Sequence, residues 1–266
     1  MKRILSGVIF LPPLYALIQY GSPHLFFFVF LVIMTIGLLE FYTMIEKGGA
    51  TCSKRMGLFC SWLIAFSFFL DSPTFALFSG TFTIIFLLLP RFFLHDDLAM
   101  TIREIMYTFF GVMYVAWLMS HLVFLRKLED GKSYLFFVFL VTWAGDTAAY
   151  YIGSVWGHHP LSPRISPRKS IEGGVAGFCM SFLMAYLARQ WFFQKISLLD
   201  TFTLGAILSL MGQLGDLAES LIKRGSGAKD SGSLIPGHGG ILDRMDSLMF
   251  AVPTVYYYAL FFLERS

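Results

Sequence analysis

Apolar runs of about twenty residues recur along the whole chain, and that is the length an α-helix needs to cross the hydrocarbon core of a bilayer. About nine runs are counted, near 4–20, 23–45, 57–70, 73–94, 104–125, 134–156, 172–194, 198–222 and 241–263. Hydrophobic residues make up 56% of the 266 and charged residues 14%, with a mean hydropathy of +0.68. That is more apolar side chain than a soluble core of this size could bury. The expected fold is therefore all-α, a polytopic transmembrane helical protein of about nine spans. The first run follows Lys2 and Arg3 as a signal peptide would, but it is long and aromatic and lacks a small-x-small exit, so it is read as an uncleaved span.

Charge placement predicts the orientation. With the N-terminus cytoplasmic, nine spans leave Lys2, Arg3, Lys47, Lys54, Arg55, Arg91, Arg103, Arg164, Arg168, Lys169, Lys223, Arg224, Lys229 and Arg244 on the cytoplasmic side, 14 of the 20 basic residues. This is the positive-inside bias. It predicts an integral protein of the inner, cytoplasmic membrane, with polar loops 157–171 and 223–240 facing the cytoplasm. Residues 1–130 then supply N-terminal spans and 131–266 a catalytic region. A net charge of +3 is too small to argue for nucleic acid. Cys52, Cys60 and Cys179 show no CxxC spacing and read as small apolar residues.

Carboxylates inside spans are costly, so those that cannot reach the surface are functional candidates. Asp146, in Trp143-Ala144-Gly145-Asp146-Thr147, is one; Asp216 and Glu219 are others. Glu40, near the end of the second span, reads as a structural residue making one helix–helix hydrogen bond. Asp216, Glu219, Ser220 and Lys223 fall at i, i+3, i+4 and i+7 and share a helix face. Asp243 and Asp246 repeat the i, i+3 spacing at the start of the ninth span. Two such helices meeting at the membrane surface would aim several carboxylates at one point. Oxygen donors of this kind suit hard cations such as Mg²⁺. The bland alternative is that these acids only ion-pair with Lys223, Arg224 and Arg244.

Between these helices the run Ser220–Asp246 holds six glycines, so amide N–H groups there could face phosphate oxygens. Gly239 and Gly240 precede the ninth span, whose N-terminus is a potential anion site. No GxxxxGK[ST] occurs in the run, so it is not a Walker A loop. The second basic loop, Ser166-Pro167-Arg168-Lys169-Ser170-Ile171-Glu172-Gly173-Gly174, offers cations and hydroxyls suited to a phosphate monoester. His158 and His159 read as surface histidines.

Ser220–Asp246 fits, at every fixed position, the pattern Ser-x-apolar-Lys-Arg, four free positions, Lys-Asp, then His-Gly-Gly and Asp-Arg-apolar-Asp. In this it resembles the phosphatidate cytidylyltransferases, also called CDP-diacylglycerol synthases. Gly145-Asp146-Thr147-Ala148-Ala149-Tyr150 and the 166–173 stretch look like the family's two upstream motifs, with Ala148 where Gly is frequent and Ile171 where Trp is frequent. The likeness is strong over residues 140–250; the first 130 residues match only as generic spans.

The resemblance implies a membrane-embedded nucleotidyltransferase of phospholipid biosynthesis, expected as a homodimer among membrane lipids. It would transfer the cytidylyl group of CTP to phosphatidate, giving CDP-diacylglycerol and pyrophosphate with Mg²⁺ and room for a second cation. In line with the family's acidic metal centre, Asp216, Asp243 and Asp246 are read as metal ligands, with Glu219 and Asp230 as weaker candidates. Lys223, Arg224, Lys229, His238 and Arg244 are read as binding the CTP phosphates and the leaving group, beside Ser220. Lys169 and Ser170 would take the lipid phosphate, and Asp146 would form a polar wall. An ion-coupled transporter would also carry intramembrane carboxylates, but it predicts internal repeats and the chain has none.

Overall fold

The computed structural model describes residues 2–93, 97–232 and 239–264, the side chains of residues 2–10 excepted. Helix fills nearly all of it. In order these are α1 (Lys2–Tyr20), α2 (Pro23–Lys47), α3 (Lys54–Leu70), α4 (Pro73–Leu88), α5 (Leu98–Gly111), α6 (Leu118–Lys127), α7 (Gly131–Trp156), α8 (Ile171–Trp191), α9 (Leu198–Gly225) and α10 (Leu242–Tyr258). A 3₁₀ turn prolongs α4 to Phe93, a π turn over Val112–Trp117 joins α5 to α6, and another prolongs α10 to Leu263. Joined in this way, the described helices make nine rods, as the apolar runs predict. Seven of them are long and apolar enough to cross a membrane.

Local chemistry explains the boundaries. Ser22 and Ser72 each accept a backbone N–H three residues on, at 3.2 Å, and a proline follows each at the first helical position. Asp97 caps α5 through Ala99 N at 2.8 Å and Met100 N at 3.1 Å. The chain turns out of α3 at Asp71, held left-handed at φ 56°.

The molecule divides into two compact units, Met1–Phe124 with Lys223–Arg244, and Leu125–Ile222 with Met245–Ser266. In the first, α2 buries Met34, Leu38, Phe41 and Tyr42. Cys60, Ile64 and Phe68 of α3 pack against Val112. The Tyr42 hydroxyl donates to Thr108 O at 2.8 Å, and it lies so close to Gly57 that any Cβ there would collide with it.

The second unit rests on close backbone approach. Gly145 of α7 faces α8, where a Cβ would come 2.5 Å from Ser181 Oγ, and a Cβ on Gly177 would come 3.0 Å from Gly145 O. Small residues at such crossings let membrane helices pack where no hydrophobic drive distinguishes protein from lipid. Loop 157–171 holds an antiparallel hairpin, β1 (Pro160–Ser162) and β2 (Ser166–Ser170), which apolar periodicity did not indicate. Pro163 and Pro167 push the residues before them toward extended backbone. Across both units large apolar side chains stay uncovered, Leu77 at 73% and Leu199 at 76%, as lipid-facing positions would. Trp156 and Trp191, ending α7 and α8, are exposed where an interfacial aromatic belt is expected.

Candidate functional site

In the second unit, Asp216 and Glu219 project from one face of α9, and Asp246 from α10 joins them. Each offers a carboxylate oxygen, and these atoms all lie within 4.8 Å of one another. Glu219 is fully buried. Two full negative charges at that separation repel by about 3 kcal/mol at an effective dielectric of ~20, a repulsion that a cation would relieve. Glycine permits the geometry: a Cβ on Gly215 would stand 2.5 Å from Asp246 O, so any larger residue would push α10 off α9.

Two further residues fasten this group. The Ser247 hydroxyl donates to Asp146 Oδ2 at 2.7 Å, while Ser247 N donates to Asp246 Oδ1 at 2.7 Å. Ser247 thus ties Asp146 of α7 to the acidic group, a link with no sequence signal beyond adjacency to Asp246. Lys169, from β2, forms an ion pair with Asp216. Its neighbour Ser170 is buried, and its hydroxyl accepts from Gly173 N at 3.1 Å as the N-cap of α8. Ser220 is half-buried on α9.

In the first unit the carboxylate of Asp243 is already engaged. Lys223 Nζ stands 2.7 Å from Oδ1. Oδ2 accepts from Ser231 Oγ at 2.7 Å, Gly240 N at 2.8 Å and Ser231 N at 3.0 Å. Gly239, at φ 79°, makes the turn, and a Cβ there would come 2.6 Å from Asp243 Oδ2. The family resemblance, together with the i, i+3 spacing, makes Asp243 and Asp246 expected ligands of one metal. Among the described residues, Asp246 groups with Asp216 and Glu219, while Asp243 is neutralised by Lys223. The start of α10 also differs from the anion site expected there: its Leu242 N–H is taken by Glu40 Oε2 at 2.9 Å and Gly240 N by Asp243. Arg224, Lys229, Asp230 and Arg244 are exposed, and His238 lies outside the described residues. Glu40 and Ser231 are contributors to this cluster that residue spacing did not single out.

Three carboxylates gathered on two helices form an oxygen donor set fitted to a hard divalent cation, which typically keeps water and takes the remaining ligands from substrate phosphates. Comparison with known proteins identifies the family. A phosphatidate cytidylyltransferase of Staphylococcus saprophyticus is 42% identical over 157 residues, which are 59% of this chain and 57% of the relative. One from Staphylococcus aureus is 43% identical over 159 residues with the same coverage, and one from Staphylococcus haemolyticus 41% over 157. The matched stretch spans a little over half the length of these curated relatives. The sequence model of the cytidylyltransferase family matches residues 1–262. From its acidic helix pair to nearly the full length of its spans, the chain belongs to the cytidylyltransferase family.

Proposed function

We propose that this protein is a phosphatidate cytidylyltransferase: it joins CTP to phosphatidate, giving CDP-diacylglycerol and pyrophosphate, with Mg²⁺ as cofactor. The observation that carries this reading is the grouping of Asp216, Glu219 and Asp246 on helices bordering the Ser220–Asp246 motif.

An oxygen of the lipid phosphate forms a bond to the α-phosphorus of CTP, and the bond from that phosphorus to the β-bridging oxygen breaks, releasing pyrophosphate. A phosphate monoester has its second pKa near 6, so the nucleophile is already largely a dianion at neutral pH and no side chain must remove a proton. The protein's task is positioning and charge neutralisation. Asp216, Glu219 and Asp246 would hold the metal, whose contribution when bound is to neutralise phosphate charge and polarise the reacting phosphoryl group. Lys223, Arg224, Lys229, His238 and Arg244 would hold the CTP phosphates and steady the leaving pyrophosphate. Asp243 is assigned to fixing Lys223, and Asp146 to orienting Asp246 through Ser247. Lys169 is assigned to the lipid phosphate, and its pairing with Asp216 supports a place beside the reacting groups. Ser170 shapes that hairpin end as a helix cap. The charge bias supports a cytoplasmic-membrane enzyme with its basic loops toward the cytoplasm, and the family resemblance supports a homodimer. Residues 131–266 carry every group assigned here.

Purified protein given α-labelled CTP, phosphatidate and Mg²⁺ is expected to form labelled CDP-diacylglycerol with one pyrophosphate per lipid, and chelation should stop it. Absence of pyrophosphate release with both substrates and metal present would overturn the assignment.

A further inference from the structure

Glu40 sits half-buried on α2, about 200 residues before the motif it touches. Its Oε2 accepts Leu242 N–H at 2.9 Å and lies 3.5 Å from Ser231 Oγ. A Cβ on Gly232 would come 2.5 Å from Glu40 Oε1, and one on Gly240 would collide with Oε2. Two glycines of the motif therefore make room for this carboxylate, where the sequence alone suggested room for a phosphate. Two more residues of the segment, Leu242 and Ser226, approach α2 and the glycine that ends it. A Cβ on Gly37, one turn before Glu40, would meet Leu242 Cδ1 at 4.0 Å, and one on Gly48 would stand 2.8 Å from Ser226 O. Asp243, the next residue after Leu242, then takes Gly240 N and both Ser231 donors and holds Lys223.

From this chain of contacts we infer that Glu40 is a positioning residue for nucleotide binding: α2 is the template against which residues 223–232 and 239–244 are folded, and Glu40 sets the turn that places Asp243 against Lys223. The inference rests on the proposed function, and it gives the N-terminal helices a role beyond membrane spanning. A carboxylate there is not needed to join α2 to its helical neighbours, since the acceptor is used on a loop and a helix start. Gln could keep the acceptor for Leu242 N–H, and Met would keep the length and apolar packing but lose the oxygen.

The test uses the full chain in detergent or nanodiscs, comparing wild type, Glu40→Met and Glu40→Gln. Losing the acceptor oxygen should raise the KM for CTP about tenfold in Glu40→Met, with the KM for phosphatidate unchanged and Glu40→Gln, which keeps an acceptor, close to wild type. Hydrogen exchange at the amides of Gly240, Leu242 and Asp243 should quicken in Glu40→Met and stay slow in Glu40→Gln. Unchanged exchange and unchanged KM for CTP would overturn the inference, and so would an equal rise in both KM values with a lowered Tm, the mark of a merely structural role. Should Glu40→Met not fold, Gly240→Ala, which crowds the same carboxylate, must quicken the same amides or the inference fails. If wild type itself releases no pyrophosphate, the function assignment fails, and the exchange pattern still decides whether Glu40 sets the turn.

Discussion

The acidic group of the second unit and the Lys223–Asp243 pair of the first draw on neighbouring turns of the same two helices. They solve opposite electrostatic problems. Asp216, Glu219 and Asp246 gather like charges with one lysine, Lys169, at the edge. Asp243 is matched by one lysine and three hydrogen bonds from Ser231 and Gly240. On the proposed reading the carboxylate cluster would take a cation, while the Asp243–Lys223 pair holds the turn before α10. Residues three apart on α10 thus meet different partners.

The largest effect should come from the unbalanced set. Asp246→Asn is expected to lower kcat by about a thousandfold, since an electrostatic group acting on the reacting phosphates is removed. Mn²⁺ binding followed by paramagnetic resonance should weaken in parallel; wild-type turnover in this variant would break the comparison.

Next in size is Lys223→Met, which leaves Asp243 buried without its counter-charge. Breaking a buried pair from one side costs about 3 kcal/mol, seen as a lower midpoint of thermal unfolding in detergent. Lys223→Met with Asp243→Leu should recover much of that loss. If the single variant is as stable as wild type, the pair is not the clamp described.

Gly215→Ala should act on the acidic group alone. Its Cβ would press on Asp246 O, and a displaced ligand typically weakens metal affinity by ten- to a hundredfold. Titrating activity against Mg²⁺ should show a higher requirement, while the exchange of Gly240 and Asp243 amides stays as in wild type.

The smallest effect is a null one. Burial pushes the Cys52 thiol up to about 12, and the carboxylates of Glu46 and Glu104 add to the rise. A raised thiol pKa leaves little thiolate at pH 8, so alkylation of Cys52 should be slow and climb about tenfold per pH unit toward pH 10. None of these groups belongs to the acidic set. The rate, resolved by peptide mass, should therefore be the same with and without Mg²⁺.

Much of this could be read from the chain. Span positions followed from runs of apolar residues, and they fell within a few residues of the helices. Asp216 and Glu219 share a face because i, i+3 spacing is a property of the helix itself. The same rule placed Asp243 and Asp246 on one face yet could not say which neighbour each would meet. Nothing in the 157–171 stretch announced a hairpin beyond its prolines, since a two-stranded ribbon leaves little apolar periodicity. Glu40 looked like a helix–helix contact because its partners, Ser231 and Leu242, lie on a segment about 200 residues away.

The sequence by itself determined the class, the spans and the set of charged side chains available for chemistry, because hydrophobic length and helical spacing are local and need no knowledge of the fold. Only the tertiary structure decided the pairings: Asp246 with Asp216 and Glu219, Asp243 with Lys223, and Glu40 with the start of α10. A carboxylate takes its role from whichever cation or donor lies a few ångströms away. That distance is set by backbone approaches such as Gly215 to Asp246, which no local pattern encodes.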